Sequence, residues 1–189
     1  NNDEGDTHKT TPMTDLIHNL ALYSVEIILG ITLIATFLIY FTSKNSILTF
    51  WTTFLGMAIA LGDVFALYGH APQFYFSNHL SHDPFSLFFK ILFLLAALVT
   101  TVFAFHSQEM KKDRLTEFYL LIISLTIGLT TLVSSIHLLI FFLSLELVGI
   151  VSYALTAWKK EEFSSTEAAI KYLLYGAFAS GTLLWGFSL

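Results

Sequence analysis

The sequence predicts an all-α, polytopic membrane protein, a bundle of about six transmembrane helices with its amino terminus outside the cytoplasm. Hydrophobic residues make up 55% of the 189 residues and charged residues only 12%, and the mean hydropathy is +0.70. An ordinary soluble domain does not have this composition. Apolar runs of about twenty residues recur along the chain, and a helix of this length crosses a bilayer core of about 30 Å.

The predicted elements divide the chain into three parts. Residues 1–15 form a polar, acidic tail that lacks the basic segment of a secretory signal. Residues 16–133 hold four predicted spans, over about 16–41, 47–68, 83–105 and 117–133. Residues 134–189 hold two more, which begin near His137 and Ser164. The chain has no cysteine, which excludes disulfides and cysteine-ligated zinc or iron–sulfur clusters from these residues.

Two helix starts carry sequence signals. Asp83 precedes Pro84, and proline suits the first helical turn while the acid complements the helix dipole. Ser164 and Glu167 have the spacing of a capping box, which would begin the sixth span. Small residues then allow a neighbouring helix to pack closely and are expected to hold Lys171 against the fifth span: Gly176, Ala177, Ser180 and Gly181.

The orientation follows from the basic residues of the loops. With six spans, only Lys9 falls on the amino-terminal side, and the opposite side carries Lys44, Lys111, Lys112, Arg114, Lys159 and Lys160. Cytoplasmic loops are enriched in Lys and Arg. This side is therefore predicted to be cytoplasmic, and the net charge of −5 implies no nucleic-acid partner.

Glu146 and Lys171 are the main candidate functional residues, because each lies within an apolar span. A charge in lipid costs between about 2.5 and 10 kcal/mol, so such residues face a protein interior, pair or line an ion path. Opposite charges about 8 Å apart interact by about 2 kcal/mol at an effective dielectric of about 20. Glu146 could therefore modulate the proton affinity of Lys171. The alternative is a static pair that only fixes helix register.

Glu26 and Lys90 are possible accessory residues in the first and third spans. Glu26 could have a functional role or be hydrated near the headgroups, and Lys90 could instead extend to the interface. The connection between the second and third spans contains His70, His79 and His82. Their spacing matches no compact metal motif, and the aromatic residues around them are typical of a membrane-surface belt.

Several stretches resemble subunit N of NADH-quinone oxidoreductase, or respiratory complex I. They are FFLSLELVGIVSYAL, EAAIKYLLYGAFASGTLLWGFSL, DPFSLFFK and EFYLLIISLTIG, together with the 25-residue separation of Glu146 and Lys171. The resemblance implies that residues 134–189 begin an antiporter-like proton-translocating domain in which Glu146 and Lys171 act. Two departures are Gly149, where the family often has serine, and the expected truncation before the interrupted helix of the first half-channel.

The resemblance also implies a setting. We expect a multi-pass subunit of the bacterial plasma (inner) membrane, surrounded by lipid and by other membrane and peripheral subunits. No cofactor is expected in this chain, and NADH, flavin, iron–sulfur clusters and quinone are expected in partner subunits. Two alternatives remain open: a subunit of a related cation/proton antiporter or membrane-bound hydrogenase, and an accessory membrane protein with a structural ion pair.

Overall fold

Six long helices form the described part of the fold, in agreement with the predicted all-α membrane bundle. A computed structural model describes residues 20–42, 45–68, 73–76, 79–107, 114–159 and 162–189, so the predicted tail over residues 1–15 lies outside the described part. The elements are α1 (Ser24–Thr42), α2 (Ser46–Leu67), β1 (Gln73–Tyr75), β2 (Leu80–His82), α3 (Pro84–His106), α4 (Leu115–Ser134), α5 (Leu138–Thr156) and α6 (Phe163–Phe187).

Helices α1 to α5 are long and apolar enough to cross a membrane. The sixth helix has 25 residues, which is long enough, but its polar first turn, Lys171 and several small residues make it less apolar. The spans predicted from the sequence end within a few residues of those observed wherever both ends are described. The fold is therefore that of a multi-pass membrane protein.

The helix starts follow the predicted signals in one case and not in the other. Asp83 accepts a hydrogen bond from the Ser86 backbone N–H at 2.8 Å, and the Ser86 hydroxyl lies 3.2 Å from the Asp83 N–H, which completes a capping box. The predicted box at Ser164 is wrong. Helix α6 begins at Phe163, so its N-cap is Glu162, two residues before the predicted cap, and Glu162 makes no side-chain capping hydrogen bond. The Glu167 carboxylate contacts Lys171 instead of the helix start.

Helices α1 to α4 pack into a bundle, α5 packs against α4, and α6 packs against α5. The main core lies between the first four helices and contains Leu29, Met57, Val64, Leu94 and Ile123, all fully buried. Long apolar side chains are exposed on the outside, as expected where a helix faces lipid. The bundle thus places its polar side chains at its two ends and along its interior seams.

The loop end of the bundle carries the predicted cytoplasmic loops. Here the Tyr40 hydroxyl donates to Glu117 at 3.3 Å, and the hydroxyls of Thr49 and Thr116 lie 3.2 Å apart. Phe118 and Trp158 also stack edge to face at this end. These contacts place the carboxyl end of α1, the start of α2, the start of α4 and the end of α5 together.

The opposite end, called here the hairpin end, holds a structure that the sequence did not predict. Strands β1 and β2 pair antiparallel, with Phe74 opposite Ser81, in the connection that we expected to be only an aromatic belt. Leu80 bridges Ser135, and the His79 carbonyl accepts from the backbone N–H groups of Ile136 and His137 at 2.9 and 3.3 Å. The hairpin is therefore attached to the turn between α4 and α5.

Candidate functional site: two groups of ionisable residues in the helices

Glu146 lies near the middle of α5. The helix starts at His137, whose Nδ1 accepts from the Leu139 N–H at 3.2 Å, and continues through an almost uninterrupted apolar sequence. Glu146 is half-buried, and its Oε1 is buried without a hydrogen-bond partner among the described residues. An unpartnered carboxylate oxygen is unfavourable in an apolar environment. The Glu146 side chain therefore has an unused hydrogen-bonding position at mid-helix.

Lys171 does not contact Glu146 in the described structure. Its Nζ lies 2.5 Å from Glu167 Oε1, one turn earlier on α6, and its side chain is 64% exposed. Ala169 and Gly176 lie on the α5-facing side of the helix, whereas Lys171 points away from α5. The expectation that the small-residue face would hold Lys171 against α5 is therefore not met. The interior-facing orientation and the roles of Glu146 and Lys171 stay predictions.

Tyr153 connects these elements, and the sequence analysis missed it. It lies two turns after Glu146, close enough for the carboxylate to act electrostatically on the Tyr153 hydroxyl, and its ring meets Tyr172 of α6 edge to face at 4.7 Å. A Cβ added at Gly149 would come within 3.2 Å of the Tyr153 hydroxyl, and one added at Gly176 would overlap it. The hydroxyl thus lies between two glycines, on the path from the acid toward α6.

Glu26 and Lys90 form the ion pair that is closest to the interior of the bundle. Lys90 Nζ lies 2.8 Å from Glu26 Oε1, and the two side chains are 2% and 1% exposed, respectively. Both side chains are enclosed by the bundle and pair with each other, so Lys90 does not extend outward along the bundle surface. The contact forms because the first turn of α1 and the second turn of α3 lie at the same end of the bundle.

Two tyrosines at the hairpin end have raised pKa values, mainly because they are buried and also because they lie near Glu26. Burial raises the pKa of Tyr75, and the negative charge of Glu26 raises it further. Burial likewise raises the pKa of Tyr23, which also interacts with Glu26. Both phenols consequently remain protonated at neutral pH.

The histidines of the hairpin end form no metal site in the described part of the chain. His79 stacks edge to face on His137 at 4.7 Å, and His82 Nε2 lies 3.3 Å from the Leu67 carbonyl, while His70 lies outside the described residues. Among the residues that the structure describes, no group of three His, Asp or Glu side chains could hold a metal ion.

Comparisons with known proteins match the α5–α6 region and the fold. Residues 135–189 match the sequence model of the family described as NADH:quinone oxidoreductase/Mrp antiporter, TM. NADH-quinone oxidoreductase subunit N of Anaeromyxobacter sp. (strain Fw109-5) is 35% identical over 134 residues, which cover 71% of this chain and 26% of the relative. NAD(P)H-quinone oxidoreductase subunit 2, chloroplastic, of Chlorokybus atmophyticus is 34% identical over 180 residues, covering 93% of this chain and 35% of the relative.

A solved structure shares the arrangement of the helices. A chain of respiratory complex I from Thermus thermophilus superposes with a TM-score of 0.74 at 31% identity, covering 86% of this chain and 35% of that chain. The present chain thus spans between about a quarter and a third of the length of these relatives. The resemblance noted in the sequence is confirmed, and the chain belongs to the family of antiporter-like membrane subunits that includes NADH-quinone oxidoreductase subunit N.

Proposed function

We propose that this chain is part of a membrane subunit that translocates protons while its complex transfers electrons from NADH to quinone. The observation that carries this proposal is Glu146, a mid-helix carboxylate with a buried, unpartnered oxygen within the part of the chain that matches the antiporter family. A carboxylate held at this depth without a neutralising partner among the described residues is costly. Such a group is retained where its change of charge is used.

The residues around Glu146 support a division of roles. Glu146 supplies a negative charge that controls the proton affinity of Lys171, and the Tyr153 hydroxyl supplies a hydrogen-bonding step between α5 and α6. Lys171 is exposed on the side of α6 that no described helix covers. Further protein must cover this side within the membrane, because a lysine exposed to lipid at this depth would be strongly unfavourable.

The rest of the proposal concerns the surroundings. Residues 134–189 begin the proton-translocating domain, and residues 16–133 form the helices on which it rests. In this proposal NADH, flavin, iron–sulfur clusters and quinone bind to partner subunits and not to this chain. We place the subunit in a bacterial plasma membrane with the hairpin end outside, because the loop end carries the basic loops.

One substitution tests the proposal. Glu146→Gln in the assembled complex preserves the shape of the side chain and removes its charge, so Lys171 loses its modulating partner. We expect NADH oxidation to be accompanied by strongly reduced proton translocation into membrane vesicles. Glu162→Gln is the matched control, because Glu162 is exposed at the start of α6 and pairs with Lys159 at the surface, away from Glu146. Wild-type translocation by an assembled Glu146→Gln complex would refute the role of Glu146.

A second function is favoured by the family description, which names Mrp antiporters beside quinone oxidoreductases. In that case the same residues would exchange protons for another cation, with no redox partner. Purification of the intact complex separates the two functions. Subunits that oxidise NADH support the first, and sodium-dependent proton exchange in proteoliposomes without such subunits supports the second.

A further inference from the structure

Three buried polar atoms at the hairpin end lack a hydrogen-bond partner among the described residues: Glu26 Oε2, Tyr75 Oη and Ser134 Oγ. Their side chains are almost completely buried, with relative exposures of 4%, 1% and 0% for the whole residues. Tyr75 interacts with both Glu26 and Ser134, so the three belong to one cluster around the Glu26–Lys90 pair. Buried polar groups are nearly always satisfied by protein or by water.

The cluster lies at the hairpin end of the bundle, since Glu26 is in the first turn of α1. Toward the membrane centre it is followed by apolar side chains of the main core, which include Leu29 and Leu94. Toward the outside, the described residues that cover it include the hairpin, where Tyr75 and Leu80 pack on Leu22. A hairpin of two three-residue strands opens more readily than a packed helix, because it buries fewer apolar contacts.

We propose that Glu26, Lys90, Tyr75 and Ser134 form a second proton-exchange site, which holds water and is reached from the hairpin end. It is separate from Glu146 and Lys171. Its part in transport rests on the proposed function, whereas its existence as a protonatable, hydrated site does not.

The exchange step is a simple protonation. A hydronium ion from the hairpin side gives its proton to the Glu26 carboxylate, which becomes a carboxylic acid, and a water molecule is left. The reverse step releases the proton to the same side. Tyr75 remains a phenol and relays hydrogen bonds between water and Glu26.

Other titratable groups at this end set the charge around the site. Asp63 at the end of α2 accepts from the Ser24 hydroxyl, Asp83 caps α3, and Tyr23 precedes α1. His82 of β2 contacts the Leu67 carbonyl. In its last turns, α4 contributes the hydroxyls of Thr130, Thr131 and Ser134 at this end. The ammonium of Lys90 is thus the cation in direct contact with Glu26.

Infrared difference spectroscopy on the intact complex in membranes tests the site. As the pH is lowered, a carboxylic-acid C=O band should appear that shifts in deuterated water and is absent from Glu26→Gln. The charge-balanced variant Glu26→Gln/Lys90→Met should lack the same band, which identifies it even if the single variant folds poorly. Absence of a Glu26 band at every pH at which the complex stays folded would overturn the proposal and leave a static ion pair.

A matched pair of tyrosine variants tests the route. Tyr75→Phe should slow deuterium exchange of the Glu26 band by about tenfold, the factor expected for one lost hydrogen bond. Tyr119→Phe should leave it unchanged, because Tyr119 is equally buried and also has an unpartnered hydroxyl, but packs near Phe50 at the loop end. Equal exchange rates in wild type and Tyr75→Phe would overturn the route through Tyr75.

The failure of this inference differs from the failure of the proposed function. A missing Glu26 band, with translocation that still depends on Glu146, would remove only the second site. A Glu26 band with normal exchange, but full translocation in Glu146→Gln, would remove the proposed role of Glu146 and leave the hydrated site in place.

Discussion

Gly176→Ala displaces the Tyr153 hydroxyl, which lies against α6 on the side of α5 that carries Gly149. A methyl group at this position would overlap the Tyr153 hydroxyl, and Gly149 closes the opposite side. Tyr153 must therefore rotate away or α5 and α6 must separate. Overpacking of this kind costs about 1–3 kcal/mol, and the better helix propensity of alanine returns up to about 1 kcal/mol. We expect a net destabilisation of about 1–2 kcal/mol.

The functional effect should exceed this loss of stability. We expect proton translocation per NADH oxidised to fall in Gly176→Ala vesicles, because the Tyr153 hydroxyl no longer lies between its two glycines. Tyr153→Phe should lower translocation by about tenfold, the effect of one lost hydrogen bond. Gly30→Ala is the matched control, since a Cβ at Gly30 meets nothing within 4 Å. Wild-type translocation in both Gly176→Ala and Tyr153→Phe would refute the role assigned to Tyr153.

Three further predictions concern the hairpin end. Lys90→Met alone should destabilise the folded protein by about 3–5 kcal/mol, because it leaves the buried Glu26 charge unpaired, and Glu26→Gln/Lys90→Met should recover most of this loss in thermal unfolding. Asp83→Ala should lower the free energy of unfolding by about 1 kcal/mol, because it removes the N-cap of α3, and thermal unfolding measures this change. An unchanged free energy of unfolding would show that another group caps the helix. The raised pKa of Tyr75 stabilises the fold below its ordinary pKa of 10.0, and this contribution is lost as the pH rises above about 10. Tyr75→Phe should remove this alkaline loss, whereas an unchanged alkaline transition would contradict it.

The spans could be predicted from the sequence because each depends on a long local run of apolar residues. The start of α3 was equally predictable, since Asp83 and Pro84 are adjacent and the cap forms within one turn. The start of α6 was not. Ser164 and Glu167 have suitable spacing, but Glu167 also lies one turn before Lys171, and the ion pair between them is favoured over the cap.

Contacts between distant segments could not be predicted in the same way. Glu26 and Lys90 were each identified as charges in apolar spans, but their pairing depends on which helix ends lie together. The hairpin is short and its residues read equally well as an interfacial loop. Tyr153 appeared to be an ordinary aromatic residue of α5, and its importance depends on Gly176 of another helix. The orientation of Lys171 depends on how α6 packs against α5, which the local sequence does not specify.

The attachment of the hairpin to the turn after α4 has a consequence for biosynthesis. Leu80 bridges Ser135, and His79 accepts from Ile136 and His137, so the partners of this outer edge are more than fifty residues downstream. As the chain emerges from the ribosome, the hairpin can pair internally early, but it can dock only after α4 has entered the bilayer. Docking of the hairpin over Glu26 and Lys90 therefore marks the moment at which the first four helices have been inserted in order and α5 has begun.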